Sequence, residues 1–577
     1  MEIFEANMTH RVSDYLVNEL SNISSFELAN QKMFGNFGIL NFFEDFEELG
    51  ALQKAISQTQ HIRAESDRTE YGDFQTNAIL ANQAIFYLAS KNISPEILIE
   101  PTCGKGSFIL AALGNFKHLN HIFGVEIYKP YVWETKFNVV DFFLLHPDRK
   151  RPEILISHCN VFDFDFKPIA LHHPGKETLV IGNPPWVTNA KLGSLHSINL
   201  PKKNNLKNHS GLDAITGKGN FDIAESITLK MMEAFQHVSG HLLFVVKNSV
   251  IKNLVHDQIH NQYRIGSLEK QRIDTNKEFN VSVNASLFVC KFNSEPALVC
   301  QDFNFYDNQN PFNKFGWSDG KFVSNIDNYL HTKLIDHMCS FLWRQGLKHD
   351  CSSVMELDKL NEFYLNGFDE KVNLEDGLVY GILKSSDLKN TYIAQTRKFT
   401  IVTQKKVGQE TNYIEKNYPL TYNYLKSHKT YFDGRKSSIY KNKPSFSIFG
   451  IGDYSFKPYK IAISGLYKTF HFTLVLPQDN KPVMLDDTCY FIGFETIEYA
   501  IYSLILLNSD ITTQFLQSVT FADAKRTFTK DILMRIDLLA LAKITKKEYL
   551  INQLEKLNKV YRLSLSLNLW PEYLSLL

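Results

Sequence analysis

The sequence predicts an α/β protein built on an open sheet, followed by a C-terminal part of mixed α+β character. Three observations carry that reading. Between about residue 71 and residue 300, short apolar runs alternate with amphipathic helical stretches. One run, Ile97 to Glu100, leads into a glycine loop and then an apolar helix. Another, Thr178 to Ile181, is broken by Gly182 and followed by Asn183, Pro184, Pro185 and Trp186. The two prolines fix φ and remove two backbone donors, so this turn is stiff and extended. It stands at the carboxyl end of a strand, where open α/β sheets place their ligands. One carboxamide, carbonyls without a local donor and a flat ring suit the gripping of a planar, amine-bearing base.

A chain of 577 residues is too long for one ordinary core. At roughly 150 residues per domain it holds two to four, and three segments are expected: 1–70, 71–300 and 301–577. Lys plus Arg number 62, as do Asp plus Glu. Overall charge therefore announces no nucleic-acid partner, and any such case rests on local charge. There is no apolar run of ~18 residues and no basic-then-apolar leader, so neither a membrane span nor a secretory signal is expected. The seven cysteines are an odd number without CxxC spacing. Reduced thiols in a cytoplasmic protein without a metal site are expected.

Taken in order, residues 1–70 read as helices, since "VSDYLVNEL" and "FEDFEELGALQKAI" carry apolar residues at three-four spacing. They are expected to form a cap on the α/β unit. Tyr71-Gly72-Asp73-Phe74-Gln75-Thr76-Asn77 opens that unit, before the helix "AILANQAIFYLAS"; Thr or Asn is a good cap there. The loop after Glu100 is Pro101-Thr102-Cys103-Gly104-Lys105-Gly106-Ser107-Phe108. Its glycines let backbone N–H groups approach a ligand, and the helix start favours a carboxylate. A dinucleotide fingerprint would need a third glycine, which is missing. The strand "HIFGVE" ends in Glu126, ~20 residues after the loop, where an acid takes two ribose hydroxyls. "EILISHCNVFDFDF" supplies a third strand ending near Cys159-Asn160, and the fourth delivers the Asn183 turn. Lys218 to Phe235 reads as a helix after a polar loop, "HLLFVVKNSVI" as a fifth strand, and "KEFNVSVNASLFVCKF" as a return hairpin closing the sheet.

After about residue 300, Tyr, Phe and Asn rise and basic residues cluster. The window 381–470 holds sixteen Lys and Arg against five Asp and Glu, an excess of eleven in a neutral chain. Such an excess, laced with Tyr, fits phosphate contact. "GRKSSIY" and "GIGDYSFKPYKIAISGLYK" combine glycines, hydroxyls, aromatics and lysines. Arg435, Lys436, Tyr454, Lys457, Lys460 and Lys468 are the residues expected on nucleic acid. The tail "KKEYLINQLEKLNKVYRLSLSLN" reads as a helix, and no internal repeat is visible.

Asn-Pro-Pro-Trp at 183–186, with the Glu-Pro-x-Cys-Gly-x-Gly-x-Phe loop at 100–108, resembles the S-adenosylmethionine-dependent DNA amino-methyltransferases. The Asn form is similar to their adenine-N6 branch, whereas the cytosine-N4 branch usually carries Ser first. The order of Thr76 segment, cofactor loop, acid, catalytic turn and long C-terminal half resembles the gamma group found in restriction–modification systems. The resemblance implies a Rossmann-like seven-stranded sheet plus a C-terminal target-recognition domain acting on double-stranded DNA. It implies that S-adenosyl-L-methionine is held by Thr76, Glu100, Thr102, Gly104, Gly106 and Glu126, with Glu100 on the methionine ammonium. Asn160, with Asp163 as rival, aligns with the residue that accepts from the cofactor's adenine. Asn77 stands where the family has Pro. A flipped adenine would stack between Trp186 and Phe279, the Asn183 oxygen and the Pro184 carbonyl accepting its N6 hydrogens beside Pro185. No cluster of paired acids with a Lys suggests a nuclease, so a cognate restriction endonuclease would be a separate chain. The other readings of the motif are a methyltransferase acting on RNA or on a protein glutamine, and a catalytically inactive DNA-binding specificity module.

Overall fold

The computed structural model describes residues 6–57, 73–188, 222–307, 310–361, 363–467, 470–521 and 527–577. The chain divides into two compact units, Met1–Phe322 and Val323–Leu577. The expected border near residue 300 thus falls inside the first unit. The sheet does not stop at the expected return hairpin but continues through Val299–Asn304, Asn313–Ser318 and Lys321–Val323.

In the first unit β1 is Ile39–Leu40, β2 Ile97–Glu100, β3 His121–Glu126, β4 Glu153–His158, β5 Thr178–Gly182, β6 Gly240–Lys247, β7 Ile265–Arg272 and β8 Ala285–Phe292. With the three later strands as β9 to β11, the order across the sheet is β1-β4-β3-β2-β5-β6-β8-β7-β9-β10-β11. The strands β4-β3-β2-β5-β6 run parallel, and β8 lies antiparallel to both β6 and β7. This is the expected seven-stranded sheet, but the stretch read as a return hairpin is not one: Thr275–Phe279 is helical, and only Ala285–Phe292 is a strand, inserted between β6 and β7. β2 and β5 are buried along their whole length, as their unbroken apolar runs require. The strand order reverses at β2, whose neighbours are β3 and β5 (Ile97 faces both His121 and Thr178). A crevice therefore opens at the carboxyl ends of β2 and β5. The glycine loop leaves one and the Asn183 turn leaves the other, so topology alone brings the two motifs together.

The helices that position the site are α4 (Ala78–Ser90), α5 (Ser107–Asn115), α6 (Lys129–Leu145), α8 (Ile223–Phe235) and the five-residue α10 (Thr275–Phe279); α7 is Lys167–His172 and α9 Asn248–Asn261. The N-terminal helices are α1 (His10–Leu20), α2 (Phe26–Phe37) and α3 (Phe46–Ser57), the first two capped by Thr9 and Ser25. They are more than a cap. Between α2 and α3, β1 joins the sheet, pairing Ile39 with Ile154 and Leu40 with Leu155. Lys136 of α6, fully buried, donates to the carbonyls of Asn41 (3.2 Å) and Phe42 (2.8 Å). Lys129 pairs with Glu44 (3.0 Å) and Glu48 (2.5 Å). Gly38 sits at φ +73°, where a Cβ would stand 2.1 Å from the Pro152 carbonyl oxygen; only glycine lets the chain turn there.

The second unit is mixed α+β. A five-stranded sheet takes Arg344–Gln345, Cys489–Phe494, Tyr459–Ser464, Thr473–Val475 and Tyr392–Ile393 in that order. A six-stranded sheet takes Lys371–Val372, Phe363–Leu365, Glu356–Leu360, Lys398–Ile401, Val379–Leu383 and Met484–Leu485. The predicted tail helix is Lys547–Tyr561, packed through Leu550 and Leu554. Among the described residues no helix is long and apolar enough to cross a membrane, and no group of three His, Cys, Asp or Glu is placed to hold a metal ion.

Candidate active site

The glycine loop is held from several sides. Cys103 N–H donates to Val125 O (2.9 Å) and Gly106 N–H to Cys103 O (2.8 Å). From α6, Thr135 Oγ1 donates to Gly104 O (2.8 Å) and Asn138 Nδ2 to Lys105 O (3.0 Å). Gly106 has φ +81°, and a Cβ on it would meet Thr135 Cγ2 at 2.8 Å; Gly104 has φ +51°, and a Cβ there would meet Gln75 Oε1 at 2.7 Å. Both positions favour glycine, and Gly106 the more, since its Cβ would press on the buried Thr135. At the end of β3, Glu126 accepts from Gly104 N–H (2.9 Å) and Tyr128 N–H (2.8 Å). This places its carboxylate beside the loop, at the end of the neighbouring strand.

Two atoms remain unsatisfied inside this cradle. Glu100 Oε2 and Thr102 Oγ1 are buried without a hydrogen-bond partner. Burial pushes the Glu100 carboxyl well up, the Ile109 backbone draws it down, and nearby Glu126 raises it further. An orphaned buried carboxyl oxygen costs about 1–3 kcal/mol unless a donor arrives. The loop, Glu126 and the segment Asp73–Thr76 line a cleft open to solvent.

The Asn183 turn meets the same cleft. Asn183 Nδ2 donates to Phe74 O (2.7 Å) and Thr76 Oγ1 (3.3 Å). A carbonyl can only accept, so the Phe74 contact fixes which half of the amide faces it. Oδ1 is left buried with no partner. Pro185 lines the cleft beside it, and Pro184 is buried. Thr76 therefore stands between the cofactor loop and the turn, its carbonyl accepting from Ser107 Oγ (2.7 Å).

Other expected positions differ. Trp186, expected as an open platform, is only 6% exposed, and its Nε1 donates to Val245 O (3.1 Å). Its ring meets Phe74 at 5.3 Å and Phe279 at 5.0 Å, the latter edge to face at 68°. The two rings touch and leave no slot between them. At the end of β4 the cleft is lined by Cys159 and Val161. Asn160 lies between them with its Oδ1 accepting from Phe162 N–H (3.0 Å), and its carbonyl accepts from Asp163 N–H (2.9 Å). Sequence reasoning missed Lys230 of α8, whose ammonium donates to the carbonyls of Val161 (2.8 Å), Phe162 (2.9 Å) and Phe164 (2.8 Å). It thereby fixes the turn along this wall. A lone lysine on a buried helix was the available signal, as were Thr135 and Asn138 on the buried α6.

The six residues expected on nucleic acid divide. Lys460 is 1% exposed, its ammonium donating to Lys457 O (2.7 Å), and burial pushes it down to about 7. It is a core residue and not a phosphate contact. Lys457 pairs with Glu495. The Arg435 guanidinium donates to the carbonyls of His349 (3.2 Å) and Ser447 (2.7 Å) and lies 3.7 Å from the Tyr440 ring centroid, bracing the fold. Tyr454 carries Arg344 over its ring at 4.7 Å. Lys436 is exposed. Lys468 lies outside the described residues, as do Tyr71, Gly72 and the stretch 218–221 of the predicted helix.

No family model matches the sequence. The chain is 39% identical over 487 residues to the type II methyltransferase M.NspV of Nostoc sp., a match spanning 83% of this chain and 98% of that protein. Among solved structures it is similar to the type IIL restriction–modification enzyme MmeI in complex with DNA, at 12% identity and TM-score 0.47, covering 78% of this chain and 63% of that one. A class I S-adenosylmethionine-dependent methyltransferase from Listeria monocytogenes gives 13% identity and TM-score 0.30, covering 53% of this chain and 93% of that one. The sheet order and the cradle at the β2–β5 crevice are those of a class I S-adenosylmethionine-dependent methyltransferase. The chain belongs to the type II methyltransferases, which methylate DNA in restriction–modification systems. Its cofactor is S-adenosyl-L-methionine, and the residues present fit it: a cationic ammonium would answer the orphaned Glu100 oxygen, Gly104 and Gly106 would admit the amino-acid end, and Glu126 would be the acceptor for ribose hydroxyls.

Proposed function

We propose that the chain methylates the N6 amine of adenine in duplex DNA, on a base flipped out of the helix. The observation that carries this reading is the Asn183 carboxamide, anchored through its nitrogen with its oxygen buried and unpartnered at the cleft. A buried lone acceptor beside a methyl-donor cleft calls for an N–H donor, and an exocyclic amine supplies one. Asn in place of Ser favours adenine over cytosine.

The amine of adenine is a poor nucleophile because its lone pair is delocalised into the ring. Asn183 Oδ1 accepts one amine hydrogen and the Pro184 carbonyl accepts the other. Together they favour tetrahedral character at N6 and turn its lone pair toward the cofactor. S-adenosylmethionine, when bound, supplies the electrophilic methyl. Asn183 is positioned in advance by Phe74 and Thr76, so most of its catalytic effect is orientation already present. Cys103 does not act as a nucleophile. Burial pushes its thiol well up, and the carboxyls of Glu100 and Glu126 push it further, so it stays protonated.

A base extruded from the stack enters by parting Phe279 from Trp186. Breaking their edge-to-face packing costs about 0.5–1.5 kcal/mol, whereas stacking a base on an aromatic returns about 1–3 kcal/mol. The stacking offsets the lost ring contact, while unstacking the base from the duplex costs about a few kcal/mol more. Phosphate contact falls to Lys405, Lys406, Lys416, Lys426, Lys429, Lys436, Lys441 and Lys443, which are exposed and, among the described residues, make no ion pair. Lys384, Arg397, Lys398 and Lys457, by contrast, are each paired with an acid. A separate cytoplasmic endonuclease reading the same site would be the counterpart of this activity.

Single-molecule sequencing of plasmid and genomic DNA from a methylation-free host expressing the chain tests the reading. N6-methyladenine in one short context is expected. N4-methylcytosine there would overturn the base assignment. Unmodified DNA from a chain that binds S-adenosylmethionine would overturn duplex DNA as its substrate and turn attention to RNA or protein.

A further inference from the structure

Asn77 uses both ends of its side chain. Its Oδ1 accepts from Leu80 N–H (2.8 Å), capping α4. Its Nδ2 donates to Glu278 Oε2 (3.0 Å) and to the Glu278 carbonyl (3.3 Å), across 201 residues of sequence. Proline, the residue the related motif carries here, could do neither. Glu278 is 9% exposed, and its second oxygen accepts from the Tyr306 hydroxyl (2.8 Å). The same hydroxyl accepts from Asp274 N–H (3.3 Å) at the start of α10, whose last residue is Phe279. Glu278 thus ties α10 to the start of α4 and, beside Asp274 N–H, to the chain leaving β9, directly before the ring that touches Trp186.

The segment carrying Asn77 also holds the rest of the centre. Phe74 O and Thr76 Oγ1 anchor Asn183, and the Phe74 ring packs on Trp186. Admitting a base requires Phe279 to withdraw from Trp186, which moves α10 against its anchor. We propose that Glu278, held by Asn77 and Tyr306, is a positioning residue that sets where Phe279 stands and so governs capture of the flipped base, leaving cofactor binding and the transfer step themselves untouched. This rests on the reading of Trp186 and Phe279 as the walls of the base slot. Glu278 lies behind that wall and does not line the cleft.

The test uses the full chain and a duplex carrying 2-aminopurine at the methylated position, whose fluorescence rises when it leaves the stack. Glu278→Ala removes two charge-assisted hydrogen bonds, from Asn77 and from Tyr306, and is expected to weaken base capture and raise KM for DNA at least about tenfold. Its Kd for S-adenosylmethionine should match that of the unaltered chain, which also reports an intact fold. Glu278→Gln, which still offers an oxygen to Asn77, is expected to restore capture. Normal capture by Glu278→Ala would overturn the inference, as would Glu278→Gln failing equally. Phe279→Ala separates the two levels. If it captures the base normally, the slot itself is misassigned; if it fails while Glu278→Ala does not, only the positioning claim falls.

Discussion

On the cofactor side of the centre, buried polar atoms stand without partners: Glu100 Oε2 and Thr102 Oγ1 face a cleft already open. On the target side, Phe74, Trp186 and Phe279 pack ring against ring, and the one orphan is Asn183 Oδ1. The first surface is preformed and wants a charged, hydrogen-bonding ligand. The second is closed and must exchange one apolar contact for another. A polar cofactor can enter a waiting site, whereas a base taken up as proposed would have to displace something. On the proposed reading, a single crevice would serve two ligands without their competing for the same atoms.

The largest effect expected from breaking this division is at Asn183. Asn183→Ala removes the acceptor for the amine and should cost at least ~10²–10³ in turnover, with cofactor affinity close to normal by calorimetry. Near-normal turnover would sink the mechanism. Next comes Glu100→Gln, which weakens the cofactor side alone: S-adenosylmethionine affinity should fall about 10- to 100-fold. It carries a pH signature as well. Because the folded-state carboxyl is raised above its ordinary value of 4.5, its contribution to stability is present at acid pH and lost as pH rises through the raised value. Melting temperature without cofactor should decline with pH above 4.5, and Glu100→Gln should flatten that decline; parallel profiles would refute the assignment. The smallest effect concerns DNA approach. Lys441→Ala with Lys443→Ala should lower the salt slope of duplex binding by about 2, while Lys457→Ala, already neutralised by Glu495, should leave it unchanged. Equal slopes would return the contact surface to the 454–460 segment.

The catalytic unit is largely legible in the sequence because its signals are local and ordered. β2, the glycine loop and α5 follow one another within a short stretch, and Asn183 is bracketed by an apolar strand and two prolines. Neighbouring parallel strands then do the rest. Pairing in space is not legible. A count of charges cannot tell that Lys457 meets Glu495, or that Lys460 points into the sheet core. Lys460 follows alternation poorly because its strand, Tyr459–Ser464, is buried almost throughout. The ring of Trp186 reads as a surface because its neighbours are prolines. Its contact with Val245 O comes from a strand 59 residues away. β1, only two residues long, carries no periodicity to detect.

That two-residue strand has a consequence in time. Without it, the outer side of β4 at Ile154 and Leu155 would be a bare edge, with amides and carbonyls offered to any passing chain. Residues 39 and 40 leave the ribosome more than a hundred residues before Ile154 and Leu155 do. The guard is therefore made before the edge it covers. During synthesis the nascent sheet can find its own cover within the same molecule before it meets a stranger, which favours solubility in a protein whose parallel strands must assemble across long stretches of sequence.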